Sequence, residues 1–317
     1  MPELLPEWHP QWGVMIAWPH ASITGTASLP TLETTYVQLA KAILAQQHLL
    51  ILHQDEAHQA HIEQLLNTHG LPLSLVQWQA APYADMWVRH YGPLTVKHPQ
   101  HMELHQFATR HGDAASAHLQ LGSHEPTRHG LRFNAGDISS DGRRNVLTAA
   151  QGQPQAEVEA MLREHLKARR IWWIHEGHLL GASPYQIHDV ARFCNAYTLA
   201  YLQCNDPEDE HYPLLKALEK ELFTLASSEG FDLLPLPLPT PQYSSQGERL
   251  PASYTRFALI NQTVLVPTFQ SPTDASALEQ LASAMPEYRI VAIDSRSLLA
   301  HKGSPHAATL QLPKGVI

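Results

Sequence analysis

Histidine is the most prominent candidate for chemistry in this sequence. The chain has 22 histidines against 21 lysines and arginines together. Imidazole transfers protons near neutral pH and is the commonest metal ligand, so a clustered subset could serve either role. Most histidines occur in polar stretches, which predicts surface positions for the majority. His175 and His178 have His-X-X-His spacing, but they follow a predicted strand rather than lie on a helix, so we assign them no role.

Cysteine chemistry has only two candidates, Cys194 and Cys204. Two thiols are too few for a disulfide scaffold, and their spacing does not match a metal site. Both belong to apolar runs that are typical of strands. We therefore expect two buried strand thiols.

Composition limits the classes of partner. The 317 residues are 44% hydrophobic and 16% charged, with a formal net charge of -9 and no cluster of basic residues. This disfavours nucleic acid and membrane surfaces as partners. The N-terminus has acidic residues and prolines rather than a signal sequence, which predicts a cytoplasmic protein. Because no linker or low-complexity stretch interrupts the chain, we expect one domain over residues 1–317.

The elements that must position any site alternate between helix and strand. Apolar residues recur at helical spacing in five segments: 32–44, 57–66, 156–166, 214–225 and 275–285. Short runs rich in strand-forming residues occur at 49–52, 73–76, 171–174, 197–202, 231–234, 254–260, 263–266 and 289–293. The pattern predicts a mixed α/β fold.

Several short motifs, in a fixed order, resemble those of one enzyme family. They are Pro6-Glu7-Trp8-His9-Pro10, Ala17-Trp18-Pro19-His20, the segment 87–93, Ala191-Arg192-Phe193 and the segment 249–254. Together they resemble the agmatine deiminases and the related bacterial peptidyl-arginine deiminases. The resemblance spans nearly the whole chain and implies a pentein, a pseudo-symmetric α/β propeller of five modules around a central pocket.

The resemblance also indicates which positions should carry the chemistry. The family's cysteine nucleophile precedes X-Thr in a glycine-rich segment, and the matching stretch 303–309 has Ala307 there. Registering on Ala-Arg-Phe places Gln186 at the acid-base histidine and His188 at the aspartate that clamps the guanidinium. The substrate glutamate position holds Asn134, and the aspartate of Trp-X-Arg-Asp-X-Gly-Pro is His90.

These assignments predict a pocket without intact catalytic residues. Its predicted lining is Trp87, Asp85, His90, Asn134, Gln186, His188, His306 and Ala307. A guanidinium is a planar cation that needs carboxylates at its edges, and an unpaired buried ion costs several kcal/mol. The interpretation we favour is a pseudoenzyme with no cofactor and a binding or regulatory role. Its partner would be an unknown small molecule or protein, and a homodimer is a further hypothesis.

Two alternatives are retained. In the first, His90, His188 and His306 bind zinc or another transition metal, and Asp85 or Asp137 serves as a base in hydrolysis of changed chemistry. In the second, the motif registers are wrong and the chain is an ordinary agmatine or arginine deiminase, a C–N hydrolase of putrescine biosynthesis. The missing cysteine argues against the second alternative.

Overall fold

The computed structural model describes residues 1–109, 118–149, 153–182 and 186–317. Residues 183–185, which directly precede the predicted pocket residue Gln186, lie outside this described part. The strands are β1 Glu3–Leu4, β2 Gln11–Ala17, β3 His48–His53, β4 Val76–Ala80, β5 Leu94–Lys97, β6 Met102–Ala108, β7 Thr127–Arg132, β8 Ile138–Ser140, β9 Asn145–Ala149, β10 Arg170–Ile174, β11 Ala191–Asn195, β12 Thr198–Gln203, β13 Asp232–Pro237, β14 Gln242–Tyr243, β15 Arg249–Leu250, β16 Ala258–Ile260, β17 Thr263–Thr268, β18 Arg289–Asp294 and β19 Leu310–Pro313.

The helices alternate with these strands. They are α1 Ala21–Thr24, α2 Leu29–Leu44, α3 Glu56–Thr68, α4 Val88–Tyr91, α5 Gln155–Glu164, α6 Tyr212–Glu229, α7 Asp274–Ala284, α8 Arg296–Ala300 and α9 Pro305–Ala308. All five predicted helices are confirmed, because each periodic apolar face packs on a sheet. In α2, for example, Leu32, Tyr36 and Leu39 are fully buried. No helix in the described ranges is long and apolar enough to cross a bilayer.

Two strand predictions were wrong in their boundaries. Leu73–Leu75 forms a 3-10 turn, and the strand begins only at Val76. Tyr254–Arg256 is likewise a 3-10 turn, because the Ser253 side chain accepts a hydrogen bond from the Thr255 backbone N–H and caps it, so the strand begins at Ala258. Several further strands were not predicted, among them β2 and β6. In β6 the histidines and the glutamate obscure the alternation.

A repeated topology organises the sheets. In each of five units, one strand pairs antiparallel with the next, which then pairs parallel with a third. We number these modules by their strands: module 1 (β5–β7), module 2 (β8–β10), module 3 (β11–β13), module 4 (β16–β18) and module 5 (β19, β2, β3 and β4). The mixed α/β, five-module fold predicted from the resemblance is confirmed. Because β19 pairs with β2, module 5 joins the two ends of the chain.

A short helical turn precedes the first strand of every module. These turns are α4, Ala135–Asp137, Ile187–Asp189, Tyr254–Arg256 and α9. Each turn contacts the next, and α9 contacts α4, so the five form a closed central ring. The predicted pocket residues lie on or beside these turns, which makes the ring the element that positions the site.

Candidate functional site

Gln186 and Asn134 face each other between the turns of modules 3 and 2. The Gln186 side-chain amide donates a hydrogen bond to Asn134 Oδ1 across 3.2 Å. The same Oδ1 accepts from the Gly136 backbone N–H at 2.8 Å, which caps the turn. A Cβ at Gly136 would lie 2.8 Å from Gln186 Oε1, so the two turns pack without room for a side chain there. Both predicted pocket amides are thus engaged with each other.

Asp137 and Asp189 serve the backbone of the same two turns. Asp137 Oδ2 accepts from the Asn134 backbone N–H at 3.0 Å, and Asp189 Oδ2 accepts from the Gln186 backbone N–H at 3.2 Å. Asp189 also forms a buried ion pair with Arg256 of the module 4 turn. Asp137 thus stabilises its own turn, whereas Asp189 also joins the turns of modules 3 and 4.

Ala307 lies on α9, where its backbone N–H donates to Ser304 Oγ at 3.1 Å. Gly303, two residues before this turn, packs against the buried indole of Trp87. A Cβ at Gly303 would approach a ring carbon of Trp87 to 2.0 Å, so only glycine fits there. The methyl group of Ala307 offers neither a lone pair nor a proton at this point of the ring.

His90 and Asp85 form a local pair at the module 1 turn. His90 Nδ1 lies 3.0 Å from Asp85 Oδ2, and Asp85 Oδ1 accepts from the Trp87 backbone N–H at 2.8 Å. Both carboxylate oxygens of Asp85 are therefore used to fix the start of α4. This arrangement disfavours Asp85 as a free general base.

His188 and His306 meet inside the ring. Their Nδ1 atoms are 3.3 Å apart, and the two rings are nearly perpendicular. His306 Nε2 lies 2.8 Å from Glu7 Oε1, while the His188 backbone carbonyl accepts from Thr255 Oγ1 at 2.8 Å. Both histidines are buried, so their neighbours rather than solvent set their protonation.

Glu7 is the counterion of two buried arginines at this point. Arg89 NH1 lies 3.2 Å from Glu7 Oε1, and Arg192 NH2 pairs with Glu7 Oε2. Arg89 also donates from Nε to the His306 carbonyl and from NH2 to the Thr309 carbonyl, both at 2.7 Å. Arg192 stacks on the ring of Phe257. Glu7, Arg89 and Arg192 all belong to motifs that carry the family resemblance, but their network was not predicted from the sequence.

The charges of this network explain the pKa shifts. Burial alone would raise the pKa of Glu7, but Arg192, Arg89 and His306 hold it well below its usual range. Burial lowers the pKa of His188 well below 6.5, and Arg192 acts in the same direction. The pKa of His306 is lowered in the same way by burial and by Arg89. At neutral pH, Glu7 is therefore ionised and both imidazoles are neutral.

The predicted zinc set of His90, His188 and His306 is not assembled. Ligand atoms within 4.8 Å of one another are found instead in Glu7, His188 and His306. His90 is excluded because α4 directs its ring to Asp85. The Glu7 group is itself a poor cation site, since its one carboxylate already neutralises two guanidinium groups, and a divalent ion would add uncompensated buried charge.

Neither thiol offers a nucleophile. Cys194 lies on β11 and is fully buried, and burial raises its pKa to about 12. Cys204 directly follows β12, where burial also raises its pKa. A protonated, buried thiol is a weak nucleophile. The prediction of buried thiols is confirmed, although Cys204 lies just beyond the strand.

The fold matches that of solved deiminase structures. The structure of C. jejuni agmatine deiminase superimposes with a TM-score of 0.88 over 100% of this chain and 98% of that chain, at 24% identity. A Porphyromonas gingivalis structure named "Putative Arginine Deiminase" gives a TM-score of 0.88 at 28% identity, with both chains fully covered. A sequence profile of the Porphyromonas-type peptidyl-arginine deiminase family matches residues 3–313. The chain belongs to this family.

Relatives in sequence agree with that assignment. A Selenomonas ruminantium protein named "Putative agmatine deiminase" is 25% identical over 97% of this chain and 94% of its own length. A Marinomonas protein with the same name is 27% identical, over 50% of this chain and 48% of that protein. This last alignment thus spans about half of either protein.

Proposed function

We propose that this chain is a pseudoenzyme of its family, which keeps the five-module ring but does not deiminate guanidinium compounds. The observation that carries the proposal is the absence of a usable thiol. Ala307 lies at the position that the resemblance assigns to the nucleophile, and both cysteines are buried, with raised pKa values. Without a thiolate, the covalent step of the family's chemistry has no starting group.

The charge of the ring supports the same proposal. Substrate guanidinium needs carboxylates that are free to pair with it. The positions assigned to those carboxylates hold Asn134, His90 and His188. The described carboxylates nearby already cap turns or pair with arginine, as Asp189 and Glu7 do. We infer that a ligand of this pocket is neutral or anionic and that its binding is the protein's role.

Ordinary agmatine deiminase activity is the competing candidate, because relatives that align over nearly the whole chain carry that name. The alternative of a three-histidine hydrolase has less support, since His90 pairs with Asp85 and does not share a group of close ligand atoms with His188 and His306. Family membership sets the fold, whereas function depends on the residues in the site. We therefore rank the pseudoenzyme first. The single domain, the cytoplasmic location and the homodimer stay predictions.

Equilibrium binding tests the proposal independently of turnover. Agmatine and arginine are titrated calorimetrically into the tag-free protein. The positive control for binding is the cysteine-to-serine variant of C. jejuni agmatine deiminase, whose structure contains bound substrate. We expect no saturable heat for this chain, because the carboxylates that the structure describes around the ring already cap turns or pair with arginine. Saturable binding of agmatine that is lost in a Gln186→Ala variant would contradict the proposal, since it would place a guanidinium in this pocket.

A further inference from the structure

A second group of histidines lies away from the ring, between modules 1 and 2. His105 lies on β6, His129 lies on the neighbouring strand β7, and His165 caps the C-terminal end of α5. His105 is buried, and the other two are partly buried. The proposed function does not use any of them.

The three imidazoles present their nitrogens to a common point. His105 Nδ1 and His129 Nε2 are 3.0 Å apart, and the rings of His129 and His165 have centroids 4.1 Å apart. One ring nitrogen from each histidine lies within 4.8 Å of the other two. In a tetrahedral site with metal–nitrogen distances of 2.0–2.1 Å, ligand nitrogens are separated by about 3.3 Å. Small side-chain rotations would therefore complete the site.

Glu103 lies behind His105 on the same face of β6. Its Oε2 is 3.5 Å from His105 Nε2, on the side of the ring that faces away from His129. This is an ionic contact rather than a hydrogen bond, and the same carboxylate lies closer to His98 Nε2, at 3.0 Å, and to His101 Nε2, at 3.1 Å. Its negative charge still favours hydrogen on Nε2 of His105, which leaves the Nδ1 lone pair available to a metal. Metal-binding histidines are usually oriented by such a carboxylate.

The surroundings of His105 and His129 favour the neutral imidazole forms of these two residues. Burial, together with His129, lowers the pKa of His105 to about 4. Burial and His165 also lower the pKa of His129. Phe107 stacks on His129 with centroids 4.8 Å apart and covers one side of that ring.

We propose that His105, His129 and His165 bind a divalent transition metal of the Zn²⁺ class, with Glu103 as the positioning residue for His105. Three imidazoles and an exchangeable water form a set that suits zinc. Because two ligands come from module 1 and the third follows the helix of module 2, the bound ion joins adjacent modules. The site lies at the edge of the fold and is independent of the ring.

Zinc binding to the tag-free protein tests this proposal. Zn²⁺ is titrated against a colorimetric chelator, which masks weak surface sites, and the melting temperature is recorded with and without the ion. The variants His129→Ala and His165→Ala each remove a partly buried ligand. His178→Ala, in an exposed loop, is the matched control. His101→Ala tests the neighbouring group His98, His101 and Glu103, which also has ligand atoms within 4.8 Å.

We expect one tightly bound Zn²⁺ per chain and a rise in melting temperature, because the ion binds only the folded state. Both effects should be lost in His129→Ala and His165→Ala and retained in His178→Ala and His101→Ala. Glu103→Gln should weaken binding by about 10–100-fold. Three results would overturn the proposal. The first is unchanged Zn²⁺ affinity in both ligand variants, and the second is a loss of affinity in His101→Ala equal to theirs. The third is no Zn²⁺ uptake by the wild type. Circular dichroism of each variant separates loss of the site from loss of the fold.

Discussion

The Gln186 side-chain amide donates a hydrogen bond to Asn134 Oδ1 across 3.2 Å and thereby joins the turns of modules 3 and 2. The family resemblance assigns an acid-base histidine and a substrate glutamate to these two positions. Two neutral amides that satisfy each other neither transfer a proton nor neutralise a cation. The pair therefore acts as a contact between adjacent turns.

Asn134→Ala should destabilise the protein more than Gln186→Ala. Loss of Gln186 removes one hydrogen bond, which is worth about 0.5–1.5 kcal/mol. Loss of Asn134 removes that bond and also the cap on the Gly136 N–H, which adds roughly 0.5–2 kcal/mol. Urea unfolding measures both free energies. The control is Asn134→Asp, which keeps the capping oxygen, and equal losses for the two alanine variants would contradict this account of the pair.

Glu7→Gln should be strongly destabilising. The substitution leaves Arg89 and Arg192 buried without a counterion, and breaking a buried ion pair from one side costs about 3–5 kcal/mol. The matched control is Glu125→Gln at an exposed position, which should change the free energy of unfolding by less than about 0.5 kcal/mol. Chemical denaturation of both variants gives the comparison. Similar values for the two would show that Glu7 does not hold the ring.

Stability should fall as the pH drops below about 6.5. The pKa of His188 and of His306 is lowered well below that value in the folded protein, whereas in the unfolded chain both titrate near 6.5. Below pH 6.5 the unfolded state therefore binds more protons, so the contribution of these residues is present above 6.5 and is lost on acidification. Each contributes a slope of roughly 1.4 kcal/mol per pH unit.

Burial also lowers the pKa of other histidines, so a single variant is needed to separate the contribution of His188 to the pH dependence of stability. His188→Gln should reduce the slope of unfolding free energy against pH, between pH 6.5 and 5, by about one histidine's share. His178→Ala, at an exposed site, should leave the slope unchanged. An unaltered slope in His188→Gln would mean that His188 binds a proton in the folded protein as readily as in the unfolded chain, and would contradict the prediction.

Gly303→Ala should destabilise the protein by about 1–3 kcal/mol, because the added methyl overlaps the buried Trp87 ring. Gly130→Ala is the control, since a Cβ at Gly130 meets no atom within 4 Å. Unfolding free energies and tryptophan fluorescence report the change. Equal effects in the two variants would contradict close packing of Gly303 on Trp87.

The sequence predicted those features that depend on local patterns. Helix α2 was predicted because its buried residues recur at helical spacing, and the predicted pocket positions map to the turns because the motifs surround them. The pairing of Glu7 with His306 could not be predicted in this way. It joins residues 299 positions apart and arises only when module 5 closes the ring.

The grouping of pocket histidines depends on contacts of the same kind. His90 occurs in a motif that reaches the ring, but its Nδ1 contacts Asp85, whereas His188 and His306 lie close to Glu7. The histidine group at His105, His129 and His165 was also missed. Its members lie on separate elements of two modules, and the sequence gives no spacing that connects them.

Product formation is the most direct test of the central claim. Tag-free protein at high concentration is incubated with agmatine, arginine or an arginine-containing peptide, and carbamoylputrescine and citrulline are quantified by mass spectrometry. We predict no product above a heat-treated control, because Ala307 offers no nucleophile and both cysteines are buried. Time-dependent formation of either product, abolished by Cys194→Ser, would show that a thiol reaches the substrate and would contradict the account.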